Sequence, residues 1–203
     1  MASIQVDVEN AVVEYDQGEH PVSADKSRPT RRMEKTVIVL AMHGAPPGDF
    51  PRQELSELVS LHARLAHAKS AERAALEKRY TELDRRVRAW PRTAHNDPFH
   101  AASQEMGVQL GQVTGREVVL GFNEFCAPSL EQGIDLAVEL GAQRIVVITP
   151  MMTRGGQHAE RDIPEVIQAA RARHPGVSFV YAWPFAVADV AAFLAGQISS
   201  CLT

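Results

Sequence analysis

Residues 144–165 have the sequence RIVVITPMMTRGGQHAERDIPE, in which an apolar run is followed by a polar loop and the start of a helix. The run at 144–149 is short and β-branched, which predicts a buried strand. Residues 163–172 are predicted to form a helix, with Pro164 in its first turn. His158 is therefore expected at the carboxyl end of a strand, where α/β sheets bind their ligands.

Two further polar side chains follow apolar runs in the same way. His43 comes directly after a predicted strand at 36–42, and Glu124 comes just after a predicted strand at 117–122. If these strands are neighbours of the 144–149 strand, the two imidazoles and the carboxylate meet at one rim of the sheet. Such a set suits cobalt, nickel, iron or zinc with coordination positions left open. Taken singly, each histidine could instead have a packing role. Glu124 could instead bind backbone amides at the start of the next helix.

Strand and helix patterns alternate along most of the chain. The strands are short and apolar without alternation, as is typical of parallel strands covered on both faces. This order predicts an α/β fold with a flavodoxin-type, doubly wound, four-stranded parallel sheet and helices on both faces. The predicted strands lie at 36–42, 117–122, 144–149 and 177–182, and the helices near 52–67, 70–89, 99–112, 128–140, 162–173 and 187–200.

The chain is expected to have two parts. Residues 1–34 are expected to form an N-terminal extension, with possible short strands at its start and a polar linker at 16–32. Residues 35–203 are expected to form the α/β domain, which carries a helical insertion at about 52–98. Apolar residues at heptad-like spacing predict that this insertion is a helical hairpin. The hairpin either serves packing alone or acts as a lid or a subunit contact.

Composition excludes several classes of protein. The chain has 21 Lys and Arg against 25 Asp and Glu, so its net charge is −4 and a nucleic-acid or membrane-surface partner is not expected. No apolar run approaches the roughly 20 residues that span a bilayer. With no visible secretory signal and only two cysteines, the expected compartment is the cytoplasm. A phosphate-binding loop and a dinucleotide fingerprint are both absent, so ATP and nicotinamide cofactors are not expected.

Four motifs in this order resemble a known family. They are the strand leading to His43-Gly44, the segment FNEFCAPSL at 122–130, the segment GGQHAERDIP at 155–164, and RHPGV at 173–177. Together they are similar to the small sirohydrochlorin chelatases, the class II, ATP-independent cobalto- and ferrochelatases. The resemblance covers about residues 35–200, interrupted by the insertion.

The resemblance implies insertion of a divalent metal into a tetrapyrrole in cobalamin or siroheme-type biosynthesis. It implies that His43, His158 and Glu124 are metal ligands and catalytic residues, with cobalt as the first expectation and ferrous iron or nickel as the next. Arg154 and Arg161 flank His158 and are expected to bind the carboxylates of the macrocycle, with a solvated charge as the alternative. One such module supplies half of a two-module cleft, so a homodimer is expected.

The chain departs from the family pattern at three places near these residues. Met42 and Ala45 stand where the family usually has glycine and serine, Ala127 replaces a common acidic residue, and Gln157 is an extra residue before His158. The identities of the metal and the macrocycle therefore stay open.

Two other functions remain alternatives. One is a non-catalytic carrier that binds a metal or tetrapyrrole through the same histidine pair. The other is a structural or regulatory module whose hairpin binds a partner protein.

The cluster His95-Asn96-Asp97-Pro98-Phe99-His100 also resembles a ligand set, but a turn in which Asn96 or Asp97 caps the next helix is the preferred interpretation. Cys126 is expected to be a small buried residue.

Overall fold

The structure of the protein is a computed structural model that describes residues 6–7, 12–13, 34–65 and 67–202. Its six-stranded sheet has the order β1-β2-β4-β3-β5-β6. The short strands β1 and β2 pair antiparallel with each other, and β2 adds to the outer edge of β4. The remaining strands run parallel. The bounds are β1 Val6–Asp7, β2 Val12–Val13, β3 Thr36–Met42, β4 Val118–Phe122, β5 Arg144–Ile148 and β6 Ser178–Tyr181.

The predicted four-stranded parallel sheet is confirmed. Of the four parallel strands, β3 comes first in the chain but lies between β4 and β5 in space, so the winding of the sheet reverses at β3. This reversal is the flavodoxin-type switch point, where doubly wound folds bind ligands.

The two short strands show that part of the predicted extension pairs with the sheet. The linker predicted at 16–32 lies outside the described residues, so the division at residue 34 stays a prediction.

Helices lie on both faces of the sheet, as predicted. One face buries Val39 and Val147 beneath α4 and α5, which contribute Ile134 and Ile163. The other face buries Leu40 and Leu120, with α3 packed over β4. The helices are α1 Arg52–Leu65, α2 Ser70–Arg88, α3 Pro98–Thr114, α4 Leu130–Glu139, α5 Ile163–Arg173 and α6 Val187–Leu202.

The predicted helical hairpin is confirmed as α1 and α2. Its apolar seam buries Leu58 and Leu61 of α1 against Leu83 and Val87 of α2. Phe125, the neighbour of Glu124, packs against this same core. The insertion is therefore joined to the segment that carries the candidate carboxylate ligand.

The cap predicted before α3 is also confirmed, and Asp97 provides it. Its carboxylate accepts a hydrogen bond from the backbone N–H of His100 at 2.8 Å. Asp97 is almost completely buried, which requires a further partner for its charge.

None of the helices in the described part of the chain is long and apolar enough to cross a membrane.

Candidate metal centre

The structure brings His43, Glu124 and His158 together at the carboxyl ends of β3, β4 and β5. One ligand atom from each side chain can be chosen so that all three atoms lie within 4.8 Å of one another. His43 is exposed, while Glu124 and His158 are partly buried. The group is therefore open to solvent on one side, as a site that receives a metal from solution must be.

The orientation of His43 is set by its own loop. Its Nδ1 lies 2.8 Å from the carbonyl oxygen of Gly44. Because a carbonyl only accepts, Nδ1 carries the proton and donates it, which leaves the lone pair on Nε2. The His43 and His158 rings are nearly perpendicular, with centroids 4.7 Å apart.

His158 begins a single turn of π-helix, His158–Asp162, which leads into α5. Its Nδ1 lies 2.7 Å from the Asp162 carboxylate, and its Nε2 lies 3.9 Å from Oε1 of Glu124. A carboxylate on one imidazole nitrogen fixes the tautomer and makes the other nitrogen a better metal ligand. Asp162 stands directly before α5, at the position of a helix cap, but its backbone is helical and its side chain makes no cap bond. The wide π-turn instead aims Asp162 at His158.

The loops that carry His43 and Glu124 cross in direct contact. The backbone N–H of Glu124 donates to the carbonyl of His43 at 2.9 Å, and that of Asn123 donates to Met42 at 3.0 Å. Gly44 has a φ of +99°, and a Cβ placed there would lie 1.8 Å from the carbonyl oxygen of Glu124. Only glycine allows this approach, so Gly44 sets the spacing of the two candidate ligands.

Arg88 of the hairpin fastens the Glu124 loop from outside. Its guanidinium donates to the carbonyl oxygens of Asn123 at 3.0 Å and Cys126 at 2.7 Å. Its Nε pairs with Asp84 at 2.8 Å, and the Arg88 side chain is only 17% exposed. The planar guanidinium holds both carbonyls at once, which a lysine at this position would not do.

Arg92, just after the hairpin, joins both loops. It donates to the carbonyl oxygens of Ala45 at 3.0 Å and Phe125 at 2.6 Å. It also forms an ion pair with Asp97, and both side chains of this pair are buried. The cation therefore holds the His43 loop, the Glu124 loop and the cap of α3 in one arrangement.

Neutral donors from the end of β6 fasten the His158 segment. The hydroxyl of Tyr181 donates to the carbonyl of Ala159 at 2.9 Å, and Trp183 Nε1 donates to the carbonyl of Met151 at 3.1 Å. The two rings stack, with centroids 5.9 Å apart. Burial raises the pKa of Tyr181 to about 12, so its hydroxyl stays a donor across the physiological range.

A cavity of about 170 Å³ adjoins Glu124 on the hairpin side. Tyr80 and Asp84 of α2 line it, with His62 of α1. Burial raises the pKa of Tyr80, and the Asp84 carboxylate adds to this effect. The insertion therefore forms one wall beside the candidate ligands.

Other residues singled out from the sequence are not members of this group of three. Arg161 is exposed and pairs with Glu165 at 3.5 Å, and Arg154 is exposed in the preceding loop. Cys126 is buried as expected, and burial raises the pKa of its thiol. His100 stacks on Phe122, and burial lowers its pKa, with the Arg92 charge acting in the same direction.

Sequence reasoning missed the residues that orient the candidate ligands. Asp162 had a usable signal, because it lies four residues after His158 and so on the same face of a helical turn. Arg88 and Arg92 had no such signal. The carbonyl groups that they bind in the His43 and Glu124 loops lie 33 to 47 residues away in the chain.

Comparison with known proteins gives the family. The family model CbiX matches residues 94–197, just over half of the chain. The chain belongs to the CbiX family. The matched range contains Glu124 and His158, while His43 precedes it and is brought to them by the pairing of β3 with β4 and β5.

Two curated relatives of this CbiX-family protein come from Priestia megaterium. A sirohydrochlorin ferrochelatase is 41% identical over 66 residues, which cover 32% of this chain and 24% of the relative. A sirohydrochlorin cobaltochelatase is 43% identical over 70 residues, which cover 34% and 22%. The match thus spans about a quarter of the length of these relatives.

Among solved structures, the chain is similar to the sirohydrochlorin chelatase SirB from Bacillus subtilis subspecies spizizenii, crystallised in complex with cobalt. The sequence identity is 20% and the TM-score is 0.36. The alignment covers 74% of this chain and 43% of SirB.

Proposed function

We propose that this protein is a chelatase that inserts a divalent metal into sirohydrochlorin or a closely related tetrapyrrole. The observation that carries the proposal is the cluster of His43, Glu124 and His158 at the switch point of the sheet. Membership of the CbiX family and the names of its curated relatives support the same reaction.

In this proposal the metal is a substrate that the two histidines hold for a limited time. Nε2 of His43 and Nε2 of His158 carry the free lone pairs, since both Nδ1 atoms donate elsewhere. Glu124 completes the coordination or accepts the protons that the pyrrole nitrogens must lose as the metal enters. The exposed side of the cluster leaves room for the face of a macrocycle.

The donor set admits several first-row metals. Two imidazoles and one carboxylate suit cobalt, ferrous iron and nickel, and a chelatase must also release the ion into the ring. We propose cobalt as the first metal, then ferrous iron or nickel. The reaction we propose uses neither ATP nor a nicotinamide.

The macrocycle carries carboxylates, and we propose Arg154 and Arg161 as their partners. Both are exposed, and Arg161 pairs with the equally exposed Glu165. An exposed pair of this kind contributes roughly 0–1 kcal/mol, so a substrate carboxylate can displace Glu165 at small cost. We further propose a cytoplasmic homodimer in which two modules share the tetrapyrrole cleft.

The test is metal insertion by purified protein with anaerobic sirohydrochlorin and a panel of cobalt, ferrous iron and nickel. Absorbance should change over many equivalents of tetrapyrrole per protein with at least one metal. A change that stops at one equivalent would indicate a carrier and contradict catalysis.

Variants locate the activity in the same assay. His43→Ala and His158→Ala should each lose insertion, whereas His67→Ala, which removes an exposed histidine of the α1–α2 connection, should keep the wild-type rate. If both site variants keep wild-type rates, the proposed site is wrong.

A further inference from the structure

The backbone directly after Glu124 has a strained conformation. Phe125 has a φ of +57°, and among the residues that the structure describes it is the one non-glycine residue with a positive φ. The backbone N–H of Cys126 donates to the carbonyl of Glu124 at 2.6 Å, so the three residues form a γ-turn. A γ-turn with a positive φ at its centre is rare, and for a side chain as bulky as phenylalanine this backbone is an outlier.

The turn gives two consecutive side chains different neighbours. Glu124 belongs to the group that it forms with His43 and His158. The Phe125 ring packs against the apolar core between α1 and α2. The strained residue therefore joins the candidate carboxylate ligand to the inserted hairpin.

Hydrogen bonds hold the turn on both sides of the ring. Arg92 donates to the carbonyl of Phe125 at 2.6 Å and to that of Val87, in the hairpin, at 3.1 Å. Arg88 donates to the carbonyl of Cys126 at 2.7 Å. A strained backbone persists only where its surroundings over-determine it. Because both arginines bind backbone carbonyls, the contribution that depends on the residue type at position 125 is the packing of its ring.

We propose that Phe125 is a positioning residue: its ring, held by the hairpin core, maintains the strained turn and so keeps the Glu124 carboxylate beside the two histidines. The inference rests on the proposed function and gives the insertion a part in it that is neither a lid nor a subunit contact. If Phe125 relaxed to an ordinary backbone conformation, the chain direction after Glu124 would change and the carboxylate would leave His43 and His158.

The size of the effect follows from the populations of the strained and relaxed turn. The left-handed region is disfavoured for a residue with a side chain by roughly 5–30-fold. Without the ring, this preference for the relaxed turn is no longer opposed by packing. Apparent metal affinity falls in proportion to the fraction of molecules that are competent to bind. Residues that orient a metal ligand contribute about 10–100-fold to affinity, which is a similar range.

The decisive comparison is Phe125→Ala against Phe125→Gly, with cobalt affinity measured by absorbance titration. Both variants lose the ring, but alanine keeps the strain at a positive φ and glycine removes it. Phe125→Ala should lower cobalt affinity about 10–100-fold. Phe125→Gly should bind cobalt about fivefold more tightly than Phe125→Ala, or better. A residue that only packs would make glycine no better than alanine, and that result would overturn the proposal.

The matched control lies in α1. Leu55 is partly buried against the same core, and its backbone is helical. Glycine is less favourable than alanine in a helix, so Leu55→Gly should show no gain in cobalt affinity over Leu55→Ala. A similar gain at both positions would mean that added flexibility raises the affinity, which would contradict relief of strain at Phe125.

A second pair of variants keeps the hairpin core filled. Phe125→Leu and Phe125→Ile introduce side chains of equal volume, but a β-branched residue is the less compatible with a positive φ. Phe125→Leu should stay near the wild-type cobalt affinity, and Phe125→Ile should bind several-fold more weakly. Equal affinities would contradict the proposal. This pair decides the question if the variants without a large side chain fail to fold.

The dependence on Glu124 is tested by repeating Phe125→Ala in a Glu124→Gln background. A residue that acts through the carboxylate has little further effect once the carboxylate is gone. The double variant should therefore match Glu124→Gln in cobalt affinity and in the rate of metal insertion. A general loss of stability would lower both backgrounds alike, and an equal effect of Phe125→Ala in the two backgrounds would overturn the proposal.

The two readouts separate this inference from the proposed function. If the wild type binds cobalt without inserting it and the predicted order of affinities holds, the proposed reaction is wrong and the positioning role stands. If the wild type inserts the metal and Phe125→Ala does so equally well, the positioning role is wrong and the reaction stands.

Discussion

The candidate metal centre is held in place differently on its two sides. On the side of β3 and β4, the loops of His43 and Glu124 cross at Gly44 and are fastened by the buried guanidinium groups of Arg88 and Arg92. On the side of β5, His158 is oriented by Asp162 within its own turn, and the segment is fastened by neutral donors from β6. The first side therefore depends on buried cations, whereas the second depends on one local carboxylate and on neutral donors. The two sides should respond differently to substitution.

Loss of the buried cation should have the largest effect. Arg92→Met leaves Asp97 buried without its partner, and breaking such a pair costs about 3–5 kcal/mol in the free energy of unfolding. Urea denaturation measures it. The matched control is Arg73→Met, which removes an exposed pair with Glu77 and should cost about 1 kcal/mol or less. If the two variants lose the same free energy of unfolding, the buried pair stabilises the protein no more than the exposed one, and the prediction is wrong.

Two glycine substitutions compare the sides directly. Gly44→Ala brings a Cβ against the Glu124 carbonyl at a positive φ, so it should cost about 2–5 kcal/mol from overpacking and strain together and weaken cobalt binding. Gly155→Ala, at φ +89°, meets open space and should cost only the strain, about 1–2 kcal/mol. Urea denaturation and cobalt titration measure both effects. A larger cost at Gly155 would contradict the account.

Asp162→Asn should separate orientation from stability. Without the carboxylate, His158 loses the partner that fixes its tautomer, so cobalt affinity should fall about 10–100-fold. The free energy of unfolding should change by no more than about 1.5 kcal/mol, the contribution of one hydrogen bond. Glu165→Gln, an exposed carboxylate on the next turn, is the control and should leave cobalt affinity unchanged. Cobalt titration followed by absorbance provides the measurement, and unchanged affinity in Asp162→Asn would show that Asp162 does not act on His158.

The smallest effect is expected from the neutral anchor. Tyr181→Phe removes one hydrogen bond to the Ala159 carbonyl and should cost about 0.5–1.5 kcal/mol. Because the folded pKa of Tyr181 is raised from 10.0 to about 12, its stabilising effect is complete below pH 10 and is lost as the pH rises through 12. Wild type and variant should therefore converge in stability over that range. A gap that stays constant from pH 9 to pH 12 would exclude this hydroxyl as the cause.

The parts of this structure that could be predicted are those with a local signal. Apolar β-branched runs predicted β3 to β6, heptad spacing predicted the hairpin, and the strand exits placed His43, Glu124 and His158 at one rim. The strand order that makes their strands neighbours is a property of the whole sheet. No local pattern in the sequence encodes it.

What the sequence could not supply is the set of contacts between distant segments. Arg88 and Arg92 act through backbone carbonyls, which carry no sequence signature, and the π-turn that aims Asp162 at His158 has the same composition as an ordinary helix start. The exposure of α6 is also invisible in sequence, because its pattern is that of a helix packed on a sheet.

The most direct test of the metal centre is a crystal structure of the protein loaded with cobalt, with anomalous scattering recorded at the cobalt edge. One anomalous peak per chain is expected at about 2.0–2.1 Å from Nε2 of His43 and from Nε2 of His158, the distance of histidine nitrogens from zinc and so expected for a similar first-row ion, with the Glu124 carboxylate facing the ion. A peak elsewhere on the chain, or bound to only one of the two histidines, would contradict it.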